Sequence, residues 1–194
     1  TVEVKVKEKR NASAIQSAFL KDSSSWSTIN IQDKKADKLF PTIKIKIEVD
    51  RNPPLHFQTE QHLMTRPFTY MLSSMHISSL FAGKMHATLF RQWKRNVKGR
   101  DWYDLVWYIS NGYSLDLDHF KARAVASENW PKDKNLTKSE LIQLFENRVA
   151  NLDIEMAKSD IMRFISDPER IDIWSKDFFL LLFKKLKIVE PGEM

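Results

Sequence analysis

The hydrophobic period of this chain changes once, at His76, and that change restricts the folds open to it. Before it, apolar residues recur every second position, the pattern of strands with one buried face. Val2, Val4 and Val6 alternate with Glu3, Lys5 and Lys7. Ile43, Ile45, Ile47 and Val49 alternate with Lys44, Lys46, Glu48 and Asp50, and Pro53-Pro54 closes that strand, because proline cannot donate to a ladder. Residues 56–64 and 68–75 read as two more strands, residues 12–21 as either helix or strand, and residues 23–27 and 33–38 as polar connection or short exposed helix.

After His76 the period becomes 3.6. Ala82, Met85, Leu89 and Trp93 mark a helix over 77–93. Trp102, Leu105, Val106 and Ile109 mark a second over 100–110, with Gly112 placed as its C-terminal cap. A third helix starts near Asp118. Thr137 and Glu140 have capping-box spacing and open a fourth. Residues 154–165 read as a fifth. Ser166-Asp167-Pro168-Glu169 signals the start of a last helix carrying Phe178 to Phe183, which Pro191 ends. The expected fold is α+β: a partial mixed sheet followed by a C-terminal helical bundle, with a β-rich region over residues 1–76 and a helical region over residues 77–194.

Composition removes several chemistries. There are no cysteines, so disulfides, iron–sulfur clusters and thiol nucleophiles are excluded, and a reducing cytoplasm is the expected location. The four glycines are spaced too widely for a Walker-A loop or a dinucleotide fingerprint. No apolar run approaches the ~18 residues a membrane span requires. The five histidines have no paired metal spacing, and no serine sits in a nucleophile elbow. The net charge of +6 suits polyanionic partners.

Three places combine charge with an otherwise buried pattern. Glu48 and Asp50 are two apart on a strand, so they share a face with Cβ atoms about 7 Å apart. Such a pair suits Mg²⁺, which takes carboxylate and phosphate oxygens; a solvated face balanced by Lys44 and Lys46 fits as well. Lys84 sits among small and apolar residues, with Thr88 and Arg91 following at i+4 and i+7. That stripe can bind a triphosphate, lysine as point charge and arginine as fork; a lysine snorkelling from a helix edge has the same pattern. Asp101 and Asp104 lie in the first turn of a helix, where the dipole favours anions, and Tyr108 continues that face. Arg100 could pair with Asp104 at i+4. Asp116-Leu117-Asp118 lies between two helices, where capping is the expected role.

Three segments in this order, Ile45-Lys46-Ile47-Glu48-Val49-Asp50-Arg51-Asn52-Pro53-Pro54, Leu80-Phe81-Ala82-Gly83-Lys84-Met85-His86-Ala87 and Lys98-Gly99-Arg100-Asp101-Trp102-Tyr103-Asp104-Leu105, resemble the later motifs of the AbiEii/AbiGii toxin family. These are nucleotidyltransferase-like proteins of bacterial abortive-infection and toxin–antitoxin systems. The resemblance implies transfer of a nucleoside monophosphate from an NTP, with Mg²⁺, to an RNA or protein acceptor, and a cognate antitoxin as partner. It maps the family's motif lysine to Lys84, its arginine–aspartate motif to Arg100, Asp101 and Asp104, and its strand carboxylate to Asp50 or Glu48. Taken with the helix stripe, the expected catalytic residues are Lys84, Asp101 and Asp104, the nucleotide-binding residues Lys84, Thr88, Arg91 and Arg100, and the metal ligands Asp50 and Glu48. The family's early Gly-Ser turn and D-x-D pair do not occur before residue 43. The expectation is therefore a chain lacking the segment that carries them, with little transferase activity of its own. The alternative is a non-catalytic module that grips RNA or an antitoxin through the basic loop from Arg91 to Arg100, with Trp93 and Trp102 interleaved.

Overall fold

The structure is a computed structural model that describes residues 2–7, 15–22, 43–50, 52–92 and 97–189. The chain divides into two units, Thr1–Pro53 and Pro54–Met194.

The first unit holds an antiparallel sheet in the order β1 (Val2–Lys7), β2 (Ile15–Asp22), β3 (Ile43–Asp50). The stretch that reads both ways in the sequence is strand β2: it pairs on both sides, Val4 and Ile45 each facing Leu20. Pairing with two neighbours supplies the ladder bonds that a local pattern cannot reveal.

The second unit begins with an antiparallel hairpin, β4 (Thr59–Met64) and β5 (Tyr70–Met75). Helix α1 (Ile77–Phe90) follows directly and is capped by His76. Phe81, Ala82, Met85 and Leu89 bury its inner face. Helix α2 (Gly99–Ser110) buries Trp102, Leu105, Tyr108 and Ile109 and ends at Asn111, with Gly112 at φ 72° just beyond. That left-handed turn suits glycine.

Strand β6 (Ser114–Asp116) and helix α3 (Leu117–Ala126) come next. Asp116 caps α3 as expected, accepting from the His119 N–H at 2.9 Å. It also accepts from the Ser79 hydroxyl at 2.7 Å, while Ser79 Oγ accepts from the Gln58 N–H at 3.0 Å. One buried carboxylate thus ties the foot of the hairpin to α1 and α3.

Helix α4 (Lys138–Ala150) starts with the capping box of Thr137 and Glu140. Helix α5 (Ile154–Met162) stops three residues earlier than its apolar spacing suggests. The next start signal opens only a 3-10 turn, Pro168–Ile171, because Asp167 makes no capping bond. Ser175 does make one, to the Phe178 N–H, and so α6 is Lys176–Phe183. A final strand, β7 (Lys187–Val189), pairs parallel with β6. Its three residues carry no alternation long enough to announce a strand; only the distant partner makes it one.

Trp102 is the hub of the helical core, against Phe145 at 5.9 Å and Phe179 at 4.8 Å between ring centres. Phe145 stacks on Phe183 at 3.8 Å. Aromatic rings from α2, α4 and α6 therefore meet around one indole, each contributing burial and ring-pair attraction. Among the described residues no helix is long and apolar enough to cross a membrane.

Candidate functional site

The site is built where the end of α1 meets the start of α2. Lys84 lies on α1 and Arg91, seven residues on, caps its end. Across from them, α2 opens with Arg100, Asp101 and Asp104. Lys84 Nζ donates to Asp104 Oδ2 at 2.6 Å, with both side chains partly exposed. Arg91 Nη1 donates to both oxygens of Asp101, at 2.9 and 3.2 Å. That second pair is lopsided: the Asp101 side chain is 8% exposed and that of Arg91 50%. Burial pushes the Asp101 carboxyl above the usual carboxylate range, and the neighbouring Arg91 and Lys84 only partly pull it back.

Two groups fix this junction, one buried and one half-buried. Thr88 is fully buried, and its hydroxyl points to the Lys84 and Asp101 carbonyls at 2.9 and 3.3 Å. It pins α1 to α2 and does not line the cleft that these helices help to enclose. Arg148, on α4, donates from Nε to the Thr88 carbonyl at 2.9 Å and from Nη2 to the Arg91 carbonyl at 2.6 Å. A helix C-terminus carries unpaired carbonyls and partial negative charge, and this guanidinium satisfies two of them.

Arg100 does not pair with Asp104. It is 3.9 Å from Asp160 Oδ2 and lies over the Phe164 ring, 4.6 Å from its centre. Arg163 lies over the same ring at 4.8 Å. Tyr108 is buried and stacked on Phe81 at 4.7 Å, so it belongs to the core rather than to the acidic face.

Together these elements enclose a cleft of about 470 Å³. Its polar side is Lys84, Arg91, Lys98, Arg100, Asp101 and Asp104, and its apolar wall is Tyr103, Ile161, Phe164 and Ile165. Four cations face two carboxylates, so the cleft attracts anions. A larger groove of about 570 Å³ between α4 and α6 is lined by Leu141, Ile142, Phe145, Leu180 and Phe183, with charges only from Lys138, Glu146 and Lys184. Its lining is mainly apolar, whereas the smaller cleft gathers six charged side chains.

Glu48 and Asp50 belong to the first unit. Asp50 is the last residue of β3, exposed, and its Oδ1 accepts from the Asn52 N–H at 3.0 Å. In the ladder Glu48 faces Ser17 and Asp50 faces Ile15. Of the basic loop, Trp93, Lys94 and Arg95 lie outside the described residues. Among the described residues no three acidic or histidine side chains gather as a metal site. Mg²⁺ does not require three: one or two carboxylates with water and phosphate oxygens suffice, so the donor chemistry of Glu48 and Asp50 fits.

The sequence reading missed Arg148 and the α5 wall. Arg148 stands seven residues after Leu141, inside the Leu141, Phe145, Val149 seam. A lone arginine there is a legible sign of a partner. Ile161, Phe164 and Ile165 keep helical spacing past the end of their helix, where an apolar stripe has no helix left to bury.

His86 adds a pH dependence. Burial, and then the positive charge of Arg123, lower its pKa to about 4, and its Nε2 lies 2.8 Å from Ser127 Oγ. It is therefore neutral in the folded protein at pH 7. A histidine lowered on folding stabilises above its unfolded value near 6.5, and that contribution is lost as pH falls toward 4. Urea midpoints should drop over this window, and His86→Gln should flatten the drop. An unchanged slope in the variant would assign the acid sensitivity elsewhere.

A mixed α+β chain whose strands lead into helices fits the nucleotidyltransferase-like class. The family model for the nucleotidyl transferase AbiEii toxin of a type IV toxin–antitoxin system matches residues 6–181, and the chain belongs to that family. A toxin of such a system implies an antitoxin partner. No curated protein and no solved structure matches the chain.

Proposed function

We propose that the cleft between α1, α2 and α5 binds a nucleoside triphosphate, and that the protein serves transfer of a nucleoside monophosphate to an RNA or protein acceptor. The observation that carries this reading is the gathering of Lys84, Arg91, Lys98 and Arg100 in one cleft, in a chain of nucleotidyl transferase type. Lys84 is the central charge. Its partner Asp104 is partly exposed, so a phosphate can take over the ammonium while water solvates the carboxylate. Arg91 stays on Asp101 and sets the position of that carboxylate, and Arg100 reaches phosphate from the opposite rim. Asp101 and Asp104 remain the proposed catalytic acids. Mg²⁺ belongs to the proposal; Glu48 and Asp50, on the first unit, are the residues proposed to hold it, and it would supply positive charge to phosphate oxygens when bound.

Calorimetric titration of NTP in the presence of Mg²⁺ tests the reading. Lys84→Ala should weaken binding by about ten- to a hundredfold, the scale of a lost charged hydrogen bond. Lys84→Arg should retain more of it. NTP binding that ignores both substitutions would remove the cleft from consideration.

A further inference from the structure

The polar side of the cleft accounts for phosphates but leaves its apolar wall unexplained. Phe164 is 52% exposed and Ile161 is buried beneath the same wall. An exposed phenylalanine beside four cations has no packing purpose where it stands, since its ring contributes little to the core. Its orientation is nevertheless set, by the guanidinium groups of Arg100 and Arg163 lying over it. Both arginines are themselves substantially exposed, 48% and 69%, and each also lies within 4 Å of the largely buried Asp160 carboxylate.

We infer that this wall is a nucleobase site, with Phe164 as the stacking ring and Arg100 as the joint between base and phosphates. The inference rests on the nucleotide reading given above and adds where the base lies. Arg100 is the link because it lines the cleft and touches the ring at once. Its Nε is 3.9 Å from Asp160 Oδ2, beyond hydrogen-bond length, and that carboxylate oxygen has no other hydrogen-bond partner. Stacking therefore positions the guanidinium while its donors stay available to an incoming phosphate. A flat, uncharged ring can lie on Phe164 or slide between it and a guanidinium, and either mode is indifferent to the base's hydrogen-bonding edge. The cleft volume of about 470 Å³ suits a ligand of nucleotide size. The wall should accept purines and pyrimidines alike, with the larger purine favoured.

The test compares three probes on the full chain by calorimetry in Mg²⁺ buffer: inorganic tripolyphosphate, ATP and UTP. For the unaltered protein, both nucleotides should bind roughly tenfold tighter than tripolyphosphate, the scale of one stacked base. Phe164→Ala should erase that advantage, weakening ATP and UTP clearly more than tripolyphosphate, which loses only the positioning of Arg100, and Phe164→Trp should restore it. Phe164 is half exposed, so thermal melts of the variants should overlay that of the parent. Equal weakening of all three probes by Phe164→Ala, or nucleotides no tighter than tripolyphosphate, would overturn the base site alone. Failure of every probe to bind, or indifference of all three to Lys84→Ala, would overturn the nucleotide reading and this inference with it.

Discussion

Arg91→Ala should destabilise the second unit by roughly 2–4 kcal/mol, the range for stripping the partner from a buried charge, reduced here because half of the arginine already faces water. The loss comes from what stays behind. Asp101 is 8% exposed and would keep its charge with its closest cation gone. The reverse change is milder, since a half-exposed guanidinium freed by Asp101→Ala can turn to solvent. Asp101→Asn placed in the Arg91→Ala background should therefore recover more than half of the loss. The pH dependence follows from the raised carboxyl. A carboxyl whose pKa rises on folding favours the fold fully below its unfolded value near 4, and the advantage fades as pH climbs through the folded value. Removing Arg91 raises the folded value further. The single variant should regain stability as pH falls toward the unfolded value near 4, and the double variant should not. Equal urea midpoints for Arg91→Ala and Asp101→Ala, flat with pH, would show that the pair is not an asymmetric buried one.

Gly99→Ala is expected to be as damaging for a different reason. The first residue of α2 lies against the backbone of α5, and a methyl group there would collide with the Ala157 carbonyl. A carbonyl on a helix cannot swing aside as a side-chain tip can, so α2 and α5 must separate. Overpacking of this kind costs about 1–3 kcal/mol, and backbone against backbone belongs at the upper end. The separation also acts on the cleft, because Arg100 is the next residue and Ile161 and Phe164 follow Ala157 by one turn and two. Denaturant titration should show the loss of stability. Nucleotide titration should show weakened binding even at temperatures where the variant is folded. A variant as stable as the parent would mean that the two helices do not meet at this glycine.

These expectations draw on residues of two kinds. Lys84, Arg91, Arg100, Asp101 and Asp104 stand out from spacing and from resemblance to the family, and all five line the cleft. Their helices are legible because a stripe such as Trp102, Leu105 and Ile109 needs only 3.6-residue periodicity to be read. Caps are legible for the same reason: Thr137 with Glu140, and Asp116 before His119, act within one turn. The burial of Thr88 is not legible because spacing gives a face but not its depth. It shares the face of Lys84 and Arg91, yet α2 covers it.

Partnerships over distance are not legible. Lys84 takes Asp104 although Arg100 stands at helical spacing from that carboxylate, because α1 and α2 pack side by side and place the ammonium nearer. Arg148 reaches the end of α1 from about sixty residues away, and β7 is a strand only because β6 lies beside it.

Amino-acid order alone settled most of the helices and the clearly alternating strands, where most helices begin, and which charges sit on a common turn, since each of these is decided within a few residues. Depth, pairing and enclosure were settled only by packing. Whether a charge is solvated, neutralised or held against an aromatic ring depends on which distant element covers it, and no local period encodes that.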